Sequence, residues 1–119
     1  WLESAKGPGI GESITLSLDK EITVDKITIA PGYFDPKWWK ANNRVKKLKL
    51  AYGDKSKTIQ FRDDMIKQTI KLGEGISFSK ITFEIKDVYS SGKDNDTGIS
   101  EIEFYYKGEK VEIDMEGVK

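Results

Sequence analysis

The sequence predicts an all-β protein, a single antiparallel β-sandwich of about eight short strands in a jelly-roll arrangement. Three observations carry that expectation. Ile, Val and Thr number 26 against 10 for Ala and Leu, and branched side chains suit a pleated, half-buried surface better than a helix. Apolar and polar residues alternate with a period of two through most of the chain, whereas no window holds a 3.6-residue period. Turn-forming clusters punctuate the alternating runs. At 119 residues the chain has the size of one domain with one core, since domains run to roughly 100–200 residues.

Taken in order, Ile14, Leu16 and Leu18 alternate with Ser13, Thr15 and Ser17. A short piece Ile22–Val24 follows, and then the parity shifts so that Ile27 and Ile29 continue the apolar face, which places a bulge or corner around Asp25-Lys26. Leu48, Leu50 and Tyr52 alternate with Lys47, Lys49 and Ala51, and Gly53-Asp54-Lys55-Ser56 then supplies a turn. Ile59 and Phe61 return, followed by Ile70 and Leu72, and then by Ile81, Phe83 and Ile85. Ile102, Phe104 and Tyr106 make the next strand, and Lys107-Gly108-Glu109 turns into Val111, Ile113 and Met115. Pro36–Val45 and Asp63–Lys67 each have room for one helical turn. The expected core is Ile14, Leu16, Ile29, Leu48, Leu50, Ile81, Phe83, Ile85, Ile102 and Phe104, because a one-residue slip would expose every one of them.

Composition removes several function classes. Lys and Arg number 20, as do Asp and Glu, for a net charge of zero, so no basic excess exists to neutralise nucleic-acid phosphates. The absence of His and Cys excludes Ser-His-Asp and Cys-His catalysis, disulfides and thiolate metal sites. No apolar run reaches the roughly 18 residues of a membrane span, and no signal peptide opens the chain. Starting at Trp1, it reads as a piece of a longer protein.

Three loops are richer than connectors require: Trp1–Glu12, Pro31–Arg44 and Asp87–Ser100. Gly7, Gly9 and Gly11 do not have the dinucleotide-binding spacing, Pro8 lacks an N–H, and a strand pattern follows where a helix should. Asp94, Asp96 and Gly98 hint at calcium, but the EF-hand order fails, and a solvated turn accounts for them better. The aromatic loop is the most unusual. Tyr33, Phe34, Trp38 and Trp39 lie beside Asp35, Lys37, Lys40, Asn42, Asn43 and Arg44. Sugar rings stack on aromatic faces and their hydroxyls bond planar polar groups, so the combination fits a glycan site. A plainer reading has one Trp plugging the end of the sandwich. Two adjacent Trp in a loop do not easily both point inward, so at least one is expected at the surface.

The stretches WLESAKGPGIGESITLSL, ITIAPGY, NNRVKKLKL and DVYSSGKDNDTGISEIEFY resemble the discoidin-like domain attached to bacterial NAD-glycohydrolase toxins. This is the NADase-type glycan-binding domain of the coagulation factor V/VIII C-type superfamily. The resemblance spans residues 1–106, with residues 107–119 left as an additional C-terminal strand or tail. It implies a galactose-binding-like jelly roll of two antiparallel sheets with ligand loops at one end, and a non-catalytic module beside other domains of a secreted or cell-surface bacterial protein. It places Trp1 and Glu3 in the first ligand-side loop, Tyr33 and Asn42–Arg44 in the second, and Tyr89, Asp94 and Asp96 in the third. The chain departs from the family pattern in three ways. A strand and an Asp-Gly turn that usually precede the position of Trp1 are missing, Ser90-Ser91 stands where Pro-Gly is common, and Gly98 stands where Cys is frequent. That missing turn often helps to hold a structural calcium in discoidin-like domains, so no metal and no cofactor is expected here.

The functional expectation is a non-catalytic glycan-binding module, with Tyr33, Trp38, Trp39, Asn43, Arg44, Tyr89, Asp94 and Asp96 as candidate contacts and no catalytic residues. The expected partners are a glycan or glycoconjugate and neighbouring domains of the parent chain, not nucleic acid. The alternative is a protein-interaction or translocation-assisting domain of an NAD-glycohydrolase-like toxin, which would show an exposed apolar patch in place of a polar-floored groove. Membrane binding through loop aromatics is weakened by the neutral charge, and no carboxylate pair marks a glycosidase.

Overall fold

The computed structural model describes residues 10–92 and 97–113. They form six strands: β1 (Ser13–Ala30), β2 (Arg44–Tyr52), β3 (Lys55–Gln60), β4 (Gln68–Tyr89), β5 (Glu101–Tyr106) and β6 (Glu109–Val111). All neighbouring pairs are antiparallel, and the hydrogen-bonded order is β3-β2-β4-β1-β5-β6.

Two long strands organise the molecule. β1 has 18 residues and β4 has 22. They pair in three stretches, Ser13–Ser17 with Lys80–Glu84, Ile22–Val24 with Ile76–Phe78, and Lys26–Ile29 with Gln68–Lys71. Between the stretches the register slips, first with extra residues on β1 and then with extra residues on β4. Bulges of this kind bend a ribbon without ending its ladder. Gly73 and Gly75 lie in the second slip at φ +63° and +122°, backbone that a side chain would strain. A Cβ on Gly75 would also meet the Val24 carbonyl oxygen at 3.2 Å.

The bend folds the β1–β4 ribbon double. The start of β4 pairs with the end of β1, Gln68 opposite Ile29, while its end pairs with the start of β2, Tyr89 opposite Arg44. The Val45 N–H donates to Pro31 O at 3.0 Å, so these termini meet at one end of the molecule. One layer is β3, β2, the second half of β4 and the first half of β1. The other is the first half of β4, the second half of β1, β5 and β6. Between them Phe104 of β5 lies 6.3 Å from Phe83 and 6.0 Å from Phe78, ring centre to ring centre.

The all-β antiparallel expectation holds, with six strands among the described residues where about eight were expected of the chain. Pieces that alternation separates, such as Ile14–Leu18 and Ile27–Ile29, are single strands bent at the slips, and both layers belong to one continuous sheet. The parity shift at Asp25 is the slip between Val24 and Lys26. Of the ten expected core residues nine are buried, and Ile102 is half-buried against them. Tight turns match their sequence. Gly53 takes φ +60° at the first central position between Tyr52 and Lys55, the type II′ arrangement, and Lys107-Gly108 both take positive φ, the type I′ arrangement. One helical turn forms after Asp35, and Asp63–Ile66 is a bend. Met115 lies outside the described residues.

Phe83 touches both layers, so Phe83→Ala should cost about 3–5 kcal/mol. Ile102→Ala, at the half-open margin, should cost clearly less. Urea denaturation of the two variants checks the contrast.

Candidate functional site

Four segments converge at the end where the ribbon's termini meet: Ile10–Glu12 leading into β1, Pro31–Asn43 between β1 and β2, Phe61–Lys67 between β3 and β4, and Ser90–Ser100 between β4 and β5, whose residues 93–96 are outside the described set. Ile10–Glu12 is bonded to Ile85 of β4, and backbone and side-chain bonds tie the other three segments to one another. Ser100 Oγ accepts from the Phe34 N–H at 3.0 Å and donates to Gly32 O, while Ser100 N–H donates to Ala30 O at 3.0 Å.

The aromatic loop is built around Asp35. Its Oδ1 accepts the Lys37 N–H at 2.8 Å, and its carbonyl accepts the N–H groups of Trp38 and Trp39 at 2.9 and 2.8 Å. Asp35 therefore caps a single helical turn, with Pro36 at the first helical position, where a missing N–H costs nothing. Successive residues on such a turn point about 100° apart, which separates the two indoles. Trp39 is buried, with Phe34 edge-on at 5.4 Å. Trp38 is 48% exposed, and the Lys37 ammonium lies 4.9 Å from its ring centre. At least one Trp at the surface is thus what the loop presents. Gly32 makes room for the buried one, since a Cβ there would stand 2.6 Å from Trp39 Cζ3.

Asn43 and Arg44 are committed to the scaffold. Asn43 is buried, bridges to Thr97, and its Oδ1 accepts the Ser91 N–H at 2.9 Å, tying the second loop to the third. Arg44 donates Nε and Nη2 to the two oxygens of Asp63 at 3.0 and 2.9 Å, and Nη1 to Asn42 O at 3.1 Å. Its side chain is 9% exposed against 34% for Asp63. Tyr89 donates its hydroxyl to Phe61 O at 2.7 Å, with the Lys46 ammonium 5.4 Å from its ring, and Tyr33 is half-buried. Trp1, Glu3, Asp94 and Asp96 lie outside the described residues. Among the described residues no cluster of three or more carboxylates could hold a metal ion.

The structure adds what alternation could not show. Among the described residues Ile10, Trp38, Met65 and Ile66 are the exposed large apolar ones, 39–54% accessible, and all four sit in the converging segments. Asp63, the partner of Arg44, was legible only as a charged residue in a short loop; the apolar Met65-Ile66 following it was the signal that this loop is more than a connector.

The Arg44 guanidinium, by hydrogen bonding, holds the Asp63 carboxyl below the usual carboxylate range. Burial opposes this, and the charges of Arg44 and Lys40 add to it. A group with its folded pKa lowered stabilises the fold above its unfolded value, near 3.8, and that stability is lost as pH falls through the folded value. Asp63→Asn should therefore cost about 1–3 kcal/mol at neutral pH, and its deficit relative to the parent chain should shrink in denaturation curves taken below about pH 4. Gly32→Ala should cost about 1–3 kcal/mol by displacing the Trp39 ring, visible as a lowered melting temperature with a shifted indole emission.

Residues 1–105 match the family described as the NAD glycohydrolase translocation F5/8 type C domain. The NMR structure of the Streptococcus pyogenes NAD+-glycohydrolase translocation domain is similar, with a TM-score of 0.67 at 22% identity, covering 89% of this chain and 96% of that one. The cryo-EM structure of the arabinofuranosyltransferase AftD from mycobacteria has a TM-score of 0.68 at 16% identity, covering 100% of this chain but only 9% of that one. At these identities the likenesses carry the fold. No curated protein sequence matches the chain. By the match over nearly its whole length, the chain belongs to the NAD glycohydrolase translocation F5/8 type C domain family.

Proposed function

We propose that this chain is a non-catalytic, translocation-assisting interaction module of a larger, secreted bacterial NAD-glycohydrolase-like toxin, and that it meets its partner through the loop end. The observation that carries this reading is the family match over residues 1–105. The geometry supports it. Planar polar groups that a sugar would need, Asn43 and Arg44, are taken up in holding the loops, while Trp38, Met65 and Ile66 face solvent on two loops joined by the Arg44–Asp63 pair. An apolar surface held rigidly by internal polar bonds suits a protein partner. Chemistry, on this reading, belongs to a neighbouring domain of the parent chain, and the site of action is outside the producing cell or at its surface.

One observation favours a second reading, glycan binding. Trp38 is an exposed indole at the same end of the molecule as half-buried Tyr33 and Tyr89, and the fold is shared with a protein named as an arabinofuranosyltransferase. In that reading Trp38, Tyr33 and Tyr89 stack on the sugar, while Trp39, Asn43 and Arg44 hold the platform; Asp94 and Asp96 lie outside the described residues.

The two readings part on one pair of variants. In the parent toxin, Trp38→Ala combined with Ile66→Ser should lower the NAD-consuming activity delivered into target cells at least tenfold, normalised to the glycohydrolase activity of the same preparation. Unchanged delivery would refute the translocation reading. Retention of the chain on a glycan array, weakened by Trp38→Ala by about 1–3 kcal/mol as at other stacking platforms, would establish the glycan reading instead.

A further inference from the structure

The two layers leave four strand edges, and three of them are guarded. β3 carries Lys55 and Lys57 on the face turned toward the other layer, opposite Tyr52 and Leu50, and Lys57 Nζ reaches the Lys71 carbonyl on the open side of the first half of β4 at 3.4 Å. β6 is only three residues long. Lysines and short strands are the usual protection against unwanted pairing. The fourth edge, the first half of β1, has none: Ser13-Ile14-Thr15-Leu16-Ser17 carries no charge and no proline.

Its free hydrogen-bonding groups can be assigned. The Ile85 N–H donates to Glu12 O at 2.9 Å and the Gly11 N–H to Ile85 O at 2.8 Å, so Ile85 faces β1, as do Phe83 and Ile81 by alternation. These stand opposite Ile14 and Leu16. The N–H and C=O groups of Ser13, Thr15 and Ser17 therefore point away from β4. Among the described residues no strand pairs with that side, since β5 meets β1 only from Lys26 to Ala30.

Opposite this edge the floor of the sandwich is incompletely roofed. Ile14 and Leu16 share one cleft with Ser100–Glu103 and Lys110 of the other layer, and Ser17–Lys20 share a second with Glu112 and Ile113. Ile102, Val111 and Ile113 pack on the core yet stay half-exposed. Among the described residues, an apolar strip beneath this unpaired edge is one strand short of complete burial.

We infer that the first half of β1 is a strand-acceptor site that takes an extended segment of a partner polypeptide as an additional antiparallel strand, with apolar side chains at alternate positions covering Ile102, Val111 and Ile113. Backbone groups supply the attraction and the alternate pockets supply selectivity. Charge sets one end of the segment. The ion pairs Lys67–Glu101 and Lys110–Glu103 occupy the charged groups near the loops, whereas Asp19 and Glu112 outnumber Lys20 near the bend, so a Lys or Arg belongs at the end that reaches them. A second copy of this chain does not fit, because β5 and β6 project beneath the β1 edge and two copies paired there would bring both floors into one space. The site lies along the side of the sandwich and is independent of what meets the loop end.

The test is NMR titration of the chain with a synthetic peptide of alternating Val and Thr bearing a lysine at each end. The expected result is slowed exchange and shifted resonances for the Ser13, Thr15 and Ser17 amides. A peptide N-methylated at alternate residues should bind at least tenfold more weakly, and Glu112→Lys should weaken the parent peptide severalfold. The inference is overturned if saturating peptide leaves those three amides unprotected. It is overturned equally if they are already protected in the dilute free chain, which would assign the edge to the chain itself. Protection that rises with protein concentration in the absence of peptide would assign it to a second copy and overturn it too.

Discussion

The ladder between β1 and β4 is the constraint on which the rest depends, because both layers are hung from the same two strands. A sandwich made of two separate sheets is held by side-chain packing alone. Here the two layers are also joined by the β1–β4 ladder that continues on both sides of the bend, so their spacing at the far end is set by the backbone as well as by packing. The register slips are what make this possible. Extra residues fall on β1 at one slip and on β4 at the other, and Gly73 and Gly75 accept the backbone angles that the second slip demands. Because the ribbon returns on itself, the strand ends gather at one end, and the loops there are neighbours by topology and not by chance.

That gathering creates a problem of polar burial, which the loops solve internally. Arg44 begins β2 in the thick of the converging segments and is almost wholly enclosed. An enclosed guanidinium needs a counter-charge and full hydrogen bonding, and Asp63 with the Asn42 carbonyl provides both. Asn43 does the same for the third loop through Ser91 and Thr97. Among the described residues no buried side-chain nitrogen or oxygen lacks a partner. The polar residues that give the second loop its sugar-binding look are thus the ones that hold the loops to each other.

Most of the fold was legible because period-two alternation reports which face is buried: Leu48 and Leu50, or Ile81, Phe83 and Ile85, can be placed with no knowledge of neighbours. Strand number was less legible, since a bulge shifts parity in the same way as a strand end does, and only pairing partners far along the chain distinguish them. Ile102 shows the limit from the other side. Its alternation with Phe104 is sound, but its burial depends on whether the facing layer extends over it, and that layer stops at β1. At the loops the sequence offered polar and aromatic candidates but could not assign their partners. The choice of Asp63 for Arg44, and of Ser91 for Asn43, crosses from one loop to another and leaves no periodic trace.

The fate of the two indoles follows from the same local logic and bears on what the loop end can do. Asp35 fixes the helical turn, and the turn fixes the angle between consecutive side chains, so once Gly32 and Phe34 shape a cavity for Trp39, Trp38 has only the surface left to it. Leaving the Trp38 indole 48% exposed forfeits part of the roughly 1.5–3 kcal/mol that full burial of a large apolar side chain yields. Trp38 is nonetheless held on a loop tied down by Trp39 below it, by Asn42 Nδ2 on its carbonyl and by Arg44 at its base. A group held this way loses little conformational freedom when a partner covers it, which is the condition under which a small apolar patch yields useful affinity. The buried polar network and the exposed apolar crown are therefore two sides of one arrangement: the first makes the second rigid.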